Sequence, residues 1–174
     1  MENKMKIYLL QYSLTGGVII ALFMVLSMWL LEQGFSYSLC ELIGYLSMLL
    51  GFSTIYLALK KVRDTHLNGK ISFGKAFKIA LLMLALVALI YALIWLVYVQ
   101  MSGGEFMNDF FEKSINDIRA SGKPEAEIEA SVKQLESQAS FYKKPLVQMG
   151  IALIEIVPVG LLASLLSAYM VSKK

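Results

Sequence analysis

The chain has 174 residues, of which 57% are hydrophobic and only 17% charged, with a mean hydropathy of +0.64. A water-soluble domain of this size cannot enclose so much apolar surface, so the surplus must face lipid. The net charge of +3 comes without Lys and Arg interleaved with aromatics, which argues against a nucleic-acid face.

The first apolar stretch, Ile7 to Leu31, runs 25 residues without a charge. A helix needs about 20 apolar residues to cross a hydrocarbon core of about 30 Å. In lipid the backbone must satisfy its own hydrogen bonds, so each such stretch is expected to be helical. The run is too long for a secretory signal core of roughly 7–15 residues. It is followed by Glu32-Gln33-Gly34-Phe35, not by a small-x-small cleavage site, so it reads as an uncleaved span. Gly16-Gly17 inside it offers a close helix contact, although it is not a GxxxG motif.

The second stretch, Leu42 to Leu59, has 18 uncharged residues, and its helix is expected to begin near Tyr37 or Leu39. Cys40, the only cysteine, excludes an internal disulfide and a cysteine-based metal cluster within one chain. Tyr37-Ser38-Leu39 before it is not a lipoprotein processing signal, so a small buried thiol is expected. Glu41 stands at the outer end of this span, close to Gly44 and Tyr45. It reads either as an interfacial helix-start carboxylate or as half of an acidic site shared with Glu155. The connection after it carries Lys60, Lys61, Arg63, Lys70, Lys75 and Lys78, which suit anionic headgroups. His66 has no metal-ligand companion and reads as a surface residue. Asn68-Gly69 marks a turn.

The third stretch, Ile79 to Met101, has 23 uncharged residues, and Trp95 and Tyr98 near its end suit an interfacial belt. Residues 102–144 are too polar to span. They read as a helical hairpin broken at Ser121-Gly122-Lys123-Pro124. Pro124 suits a first helical position, with Glu125 and Glu127 at the positive end of the helix dipole. One apolar stripe is formed by Ile128, Val132, Leu135, Ala139 and Tyr142, and another by Phe106, Phe110, Phe111, Ile115 and Ile118. These stripes pack on each other or on the membrane surface, or they dock another protein. No internal repeat supports an inverted-repeat transporter.

The fourth stretch, Pro145 to Val171, has 27 residues and one charge, Glu155. Glu155 lies about ten residues in, or about 15 Å at 1.5 Å per residue, near the midplane. A charge there is costly, about 2.5–3.5 kcal/mol on insertion scales, so the side chain is expected to face the bundle. Pro158 removes a backbone donor one turn later and favours a kink, and Gly160 admits a neighbouring helix. Tyr91, Ser47 and Tyr45 are the polar side chains expected at similar depth. Glu155 then either relays a proton or cation, or is a neutral carboxyl that hydrogen-bonds a neighbouring helix and sets its packing.

Orientation follows from the basic flanks. Lys4, Lys6, the six basic residues of the second connection, Lys173 and Lys174 make ten on one side. The other side has six, in a loop that also holds eight carboxylates. Both termini are therefore expected in the cytoplasm. No GxSxG, HExxH, phosphate-binding glycine loop or Ser/His/Asp set is present, and no cofactor or metal is expected.

Glu41-x-x-Gly44-Tyr45, Arg63-Asp64, Ile71-Ser72-Phe73-Gly74-Lys75-Ala76-Phe77 and Glu155-Ile156-Val157-Pro158-Val159-Gly160 together resemble the bacterial membrane family known as domain of unknown function 4199. The resemblance covers nearly the whole chain. It implies a small four-span protein of the bacterial inner membrane and carries over no catalytic residue. That family often has Asn before the proline that opens the last span; here the pair is Lys144-Pro145.

The expectation is therefore an all-α membrane protein of one domain, with spans at about 7–31, 39–59, 76–101 and 145–171 and an outward hairpin at about 102–144. Two functions fit. One is a non-enzymatic membrane component that binds a partner, through residues 102–144, through its lipid-facing helices or as a homo-oligomer. The other is proton, ion or small-solute transport using Glu155, with Pro158 and Tyr91 beside it and Glu41 and Tyr45 as secondary candidates.

Overall fold

The computed structural model describes residues 2–101, 105–142 and 144–173. The side chains of Glu2, Glu105, Phe106, Met107 and Phe110 lie outside that description. Every regular element among the described residues is an α-helix: α1 (Glu2–Glu32), α2 (Tyr37–His66), α3 (Phe73–Met101), α4 (Glu105–Arg119), α5 (Glu125–Tyr142) and α6 (Pro145–Ser172). Four of them, α1, α2, α3 and α6, are long and apolar enough to cross a membrane. The shortest, α6, has 28 residues. At 1.5 Å per residue that is about 42 Å, well beyond the hydrocarbon core of about 30 Å. The apolar runs mark the length in contact with lipid. The helices extend past them, so α1 begins five residues before Ile7 and α3 three residues before position 76.

The helix ends follow from local chemistry. Gly34 takes a left-handed φ of +86° after α1. Its N–H bonds the Leu31 carbonyl, and the Phe35 N–H bonds the Leu30 carbonyl, each at 3.1 Å. This is a Schellman stop, which needs a residue without a Cβ penalty at that position. Ser36 then caps α2, its Oγ accepting from the Leu39 N–H at 3.4 Å. Asn68 and Gly69 both have positive φ and turn the chain from α2 towards α3, as expected from the pair. The Lys144 carbonyl accepts from Val147 and Gln148, so Pro145 is the first residue of α6, where its missing N–H has no partner to lose.

The chain divides into two compact units, residues 1–92 with 152–174, and residues 93–151. In the first unit each long helix packs on two others through small residues. A Cβ on Gly16 of α1 would stand 2.5 Å from Thr54 Oγ1 and 2.6 Å from the Gly51 carbonyl of α2. Gly17 faces Ile90 of α3, and Gly160 of α6 faces Leu84 of α3 and Phe52 of α2. The helices therefore run around the bundle in the order α1, α2, α6, α3. Ile20, Phe52, Ile55, Leu59, Val87 and Ile156 fill the interior, each 1% exposed or less. Leu22, Leu82 and Leu162 stand outward at 65%, 73% and 64% exposure. Large side chains left outside while Ser13, Ser47 and Ser164 are buried is the arrangement a lipid solvent selects.

Arg63 is the one buried charge in this unit among the described residues. Its Nη1 donates to the Val171 carbonyl at 3.2 Å and its Nε to Asp64 Oδ1 at 2.7 Å. The guanidinium thus bonds a main-chain carbonyl in the last turn of α6 and ties α2 to it. A lysine cannot bond both partners from separate nitrogens of one rigid plane. Arg63→Lys should therefore lower the unfolding temperature in detergent more than Asp64→Asn, which leaves the guanidinium bond to Val171 in place. Equal shifts would show that the Val171 bond adds nothing. Cys40 is buried at 5% exposure, matching the expected small thiol.

The second unit holds the hairpin of α4 and α5. Gly122, with φ +70°, turns the chain between them. The Pro124 carbonyl accepts from Glu127 and Ile128, which makes Pro124 the residue just outside α5, one position earlier than expected. Phe111 is buried and meets the Tyr142 ring edge-on, centroids 5.5 Å apart. Ile128, Val132, Leu135, Ala139 and Tyr142 are all half-buried, and α5 buries no residue completely. Ile115 and Ile118 are half-buried too. Phe106 and Phe110, the start of the α4 stripe, lie outside the described side chains.

Candidate functional site

Tyr91 lies ten residues before the end of α3 and Glu155 ten residues after the start of α6. The two helices are antiparallel, so both groups sit about 15 Å along from the same end. The Tyr91 hydroxyl donates to Glu155 Oε2 at 3.2 Å. That is long for an O–H···O bond. Tyr91 is buried, 5% exposed.

Glu155 is not enclosed by the bundle, contrary to the expectation from its depth. Glu155 and Pro158 are both exposed on the flank of α6. The reason is rotational. The inward face of α6 is Ala152, Ile156, Gly160, Ser164 and Ala168, all buried and spaced by four. Glu155 stands one residue, or about 100°, from Ile156 on a helix with 3.6 residues per turn. From that edge it reaches back to Tyr91 while its stem faces outward. Pro158 lies inside α6, which continues through it. Having no N–H, it leaves the Ile154 carbonyl without a helical donor, and Ile154 is 76% exposed. Ile154 and Glu155 are thus adjacent exposed residues of α6, the Glu155 carboxyl held to Tyr91 and the Ile154 carbonyl left without its helical donor.

The other expected neighbours do not join them. Ser47 is buried, but its hydroxyl donates to the Gly44 carbonyl of its own helix at 2.6 Å. Tyr45 is 51% exposed. Glu41 is also exposed and, among the described residues, makes no side-chain hydrogen bond. It lies four residues into α2 against ten into α6 for Glu155, a difference in depth of about 9 Å. A shared acidic site is therefore not formed. Among the described residues no three His, Cys, Asp or Glu side chains gather as metal ligands.

Gly160 is one member of an inward stripe of small residues, Gly160-x-x-x-Ser164-x-x-x-Ala168, that glycine alone does not reveal. Ser13-x-x-x-Gly17-x-x-x-Ala21 repeats the spacing on α1. The available signal was any small residue at intervals of four, not glycine alone.

The segments that carry the family resemblance have structural places. Arg63 binds α6, Ile71 and Ala76 are buried, and the Phe73 and Phe77 rings stack at 5.8 Å. No curated protein and no solved structure matches the chain. The family described as "Protein of unknown function (DUF4199)" matches residues 11–173, nearly the whole chain. With four apolar membrane-length helices and the Arg63, Ile71–Phe77 and Glu155–Gly160 segments in place, this protein belongs to that family.

Proposed function

We propose that the protein is a non-enzymatic component of a bacterial inner membrane that binds another membrane-spanning helix across the outward face of α6. The observation that carries this reading is the exposure of Glu155 at mid-depth. A carboxyl at that depth with Tyr91 as its hydrogen-bond donor is still costly, and a helix offering a further donor relieves it. The Ile154 carbonyl, without its helical donor, adds a second acceptor on the neighbouring residue. Leu162, Leu166 and Tyr169 extend the same outward face. The hairpin is the weaker docking candidate, because its aromatic stripe is partly used within the hairpin by Phe111 and Tyr142.

Association in liposomes, followed by energy transfer between labelled chains or with a candidate partner, tests this. Glu155→Leu should weaken association about five- to thirtyfold, the equivalent of about 1–2 kcal/mol for an interhelical polar contact. Glu155→Gln should retain most of it. Undiminished association of the Leu variant would remove the reading.

The second reading, transport of a proton, ion or small solute, is favoured by the Tyr91–Glu155 bond, which joins two titratable side chains at one depth. Flux into proteoliposomes that Glu155→Gln abolishes would select it over partner binding. The positive-inside bias supports a cytoplasmic location of both termini. A cysteine introduced by Ser121→Cys should then react with an impermeant reagent from outside; labelling only from the cytoplasm would reverse the orientation.

A further inference from the structure

An open groove of about 650 Å³ runs between α1 and α2. Its two ends differ in chemistry. Gln11, Tyr12 and Lys61 line one end, and Ile19, Phe23 and Leu50 the other. Its middle carries Thr15, Ser53 and Thr54, whose hydroxyls are all engaged. Thr15 donates to the Gln11 carbonyl at 2.9 Å, Ser53 to Leu50 at 2.6 Å and Thr54 to Gly51 at 2.7 Å. The groove beyond its polar mouth therefore offers no free hydroxyl donor and behaves as an apolar surface.

At the mouth, the Lys61 ammonium lies 4.4 Å from the Tyr8 ring centroid and 5.8 Å from that of Tyr12. The His66 ring meets the Tyr8 ring edge-on, centroids 5.7 Å apart. Among the described residues no carboxylate pairs with Lys61; the nearby Asp64 is held by Arg63. A cation resting on two ring faces keeps its remaining N–H donors available to an anion at the mouth.

Length identifies the occupant. Gln11 and Phe23 are twelve residues apart on α1, or about 18 Å. Half of a hydrocarbon core of about 30 Å is about 15 Å. The groove thus runs from about one turn inside one interface to about one turn past the middle of the α1 span, with Lys61 as the one positive charge in its lining. A second helix seated there would bury Lys61 against it. A phospholipid instead places a phosphate on the ammonium and an acyl chain along Ile19, Phe23 and Leu50.

We infer that this groove is a binding site for one anionic phospholipid, drawn from the leaflet on the side of the N-terminus, with Lys61, Tyr12 and Gln11 at the headgroup and the α1–α2 furrow holding a tail. The site lies apart from Glu155 and does not depend on the partner-binding reading.

Native mass spectrometry of the whole protein, exchanged from detergent into micelles containing phosphatidylglycerol or phosphatidylcholine, tests this. The parent should retain one phosphatidylglycerol in preference to phosphatidylcholine. Lys61→Gln should reduce that preference about fivefold, the effect of one basic side chain at a headgroup. Lys60→Gln, the exposed neighbour outside the groove, should change it less than twofold. Ser53→Trp, at an exposed position in the furrow, should expel lipid of either headgroup. Equal losses in the two lysine variants would reduce the effect to diffuse surface charge and overturn the site. Retention of lipid by Ser53→Trp would overturn the seating of the tail. Displacement by inorganic phosphate as effective as by short-chain phosphatidylglycerol would make it a free-phosphate site. Cross-linking of two chains through Ser53→Cys would give the groove to a second copy.

Discussion

Gly16→Ala should destabilise the protein by about 1–3 kcal/mol, the range for overpacking a filled contact, whereas Gly17→Ala should be close to neutral. The two glycines are adjacent but meet different things. The Gly16 Cβ would stand 2.6 Å from the Gly51 carbonyl, a main-chain atom that cannot turn aside. Gly51 is similarly closed by Ile20 and by the Gly16 carbonyl at 2.8 Å. Relief therefore requires α1 and α2 to separate along this contact. The Gly17 Cβ would meet the Ile90 side chain, Cδ1 and Cγ2 at 3.0 Å and Cβ at 3.1 Å, and no main-chain atom, so a shift of a few tenths of an ångström suffices. There the gain in helix propensity of up to about 1 kcal/mol offsets the crowding. Titration of the folded protein in mixed micelles with a denaturing detergent reads both. Similar midpoints for the two variants would show that the α1–α2 backbone contact does not limit stability.

Phe52→Ala should cost about 2 kcal/mol, less than the roughly 3–5 kcal/mol of the same change in a water-soluble core. Phe52 is 1% exposed, and its ring lies against the space left by Gly160. In water the cost has two parts, transfer of the ring out of solvent and the cavity left behind. In a bilayer the separated helices already keep the ring in an apolar solvent, so the transfer part largely disappears and the cavity part remains. Gly160→Ala made on top of Phe52→Ala should then cost less than on the parent, because its Cβ, which would stand 2.7 Å from the ring, would meet a void. Leu84 still crowds the same position, so the rescue should be partial. Additive costs would show that Phe52 and Gly160 do not share this space.

The order of elements was legible because each signal is local. Four apolar runs, three without a charge and the last with Glu155 alone, Asn68-Gly69 at the second turn and Pro145 at the last entry all act within a few residues of chain. The depth of Tyr91 and Glu155 was legible too, since counting along a helix gives position along its axis. Their pairing was one of three possibilities and needed the neighbouring helices to decide it. Ser47 sits in the right element, but it satisfies itself on its own backbone and so cannot reach Glu155.

The facing of Glu155 is where the expectation failed. A carboxyl in a span is normally turned inward, but helix rotation here follows the small residues. Gly160, Ser164 and Ala168 allow the closest backbone approach, and Glu155 takes the edge that this leaves. The groove beside Lys61 was invisible for the same reason, since it is made by residues from two helices whose facing depends on the Gly16–Gly51 contact.

The amino-acid order alone determined that the chain is a four-span helical membrane protein with a polar hairpin, because burying a backbone in lipid permits no other use of such apolar runs. Only the tertiary structure decided which side of each helix meets protein and which meets lipid. That choice rests on summed packing between helices distant in sequence, and in an apolar solvent no hydrophobic pattern along a single helix announces it.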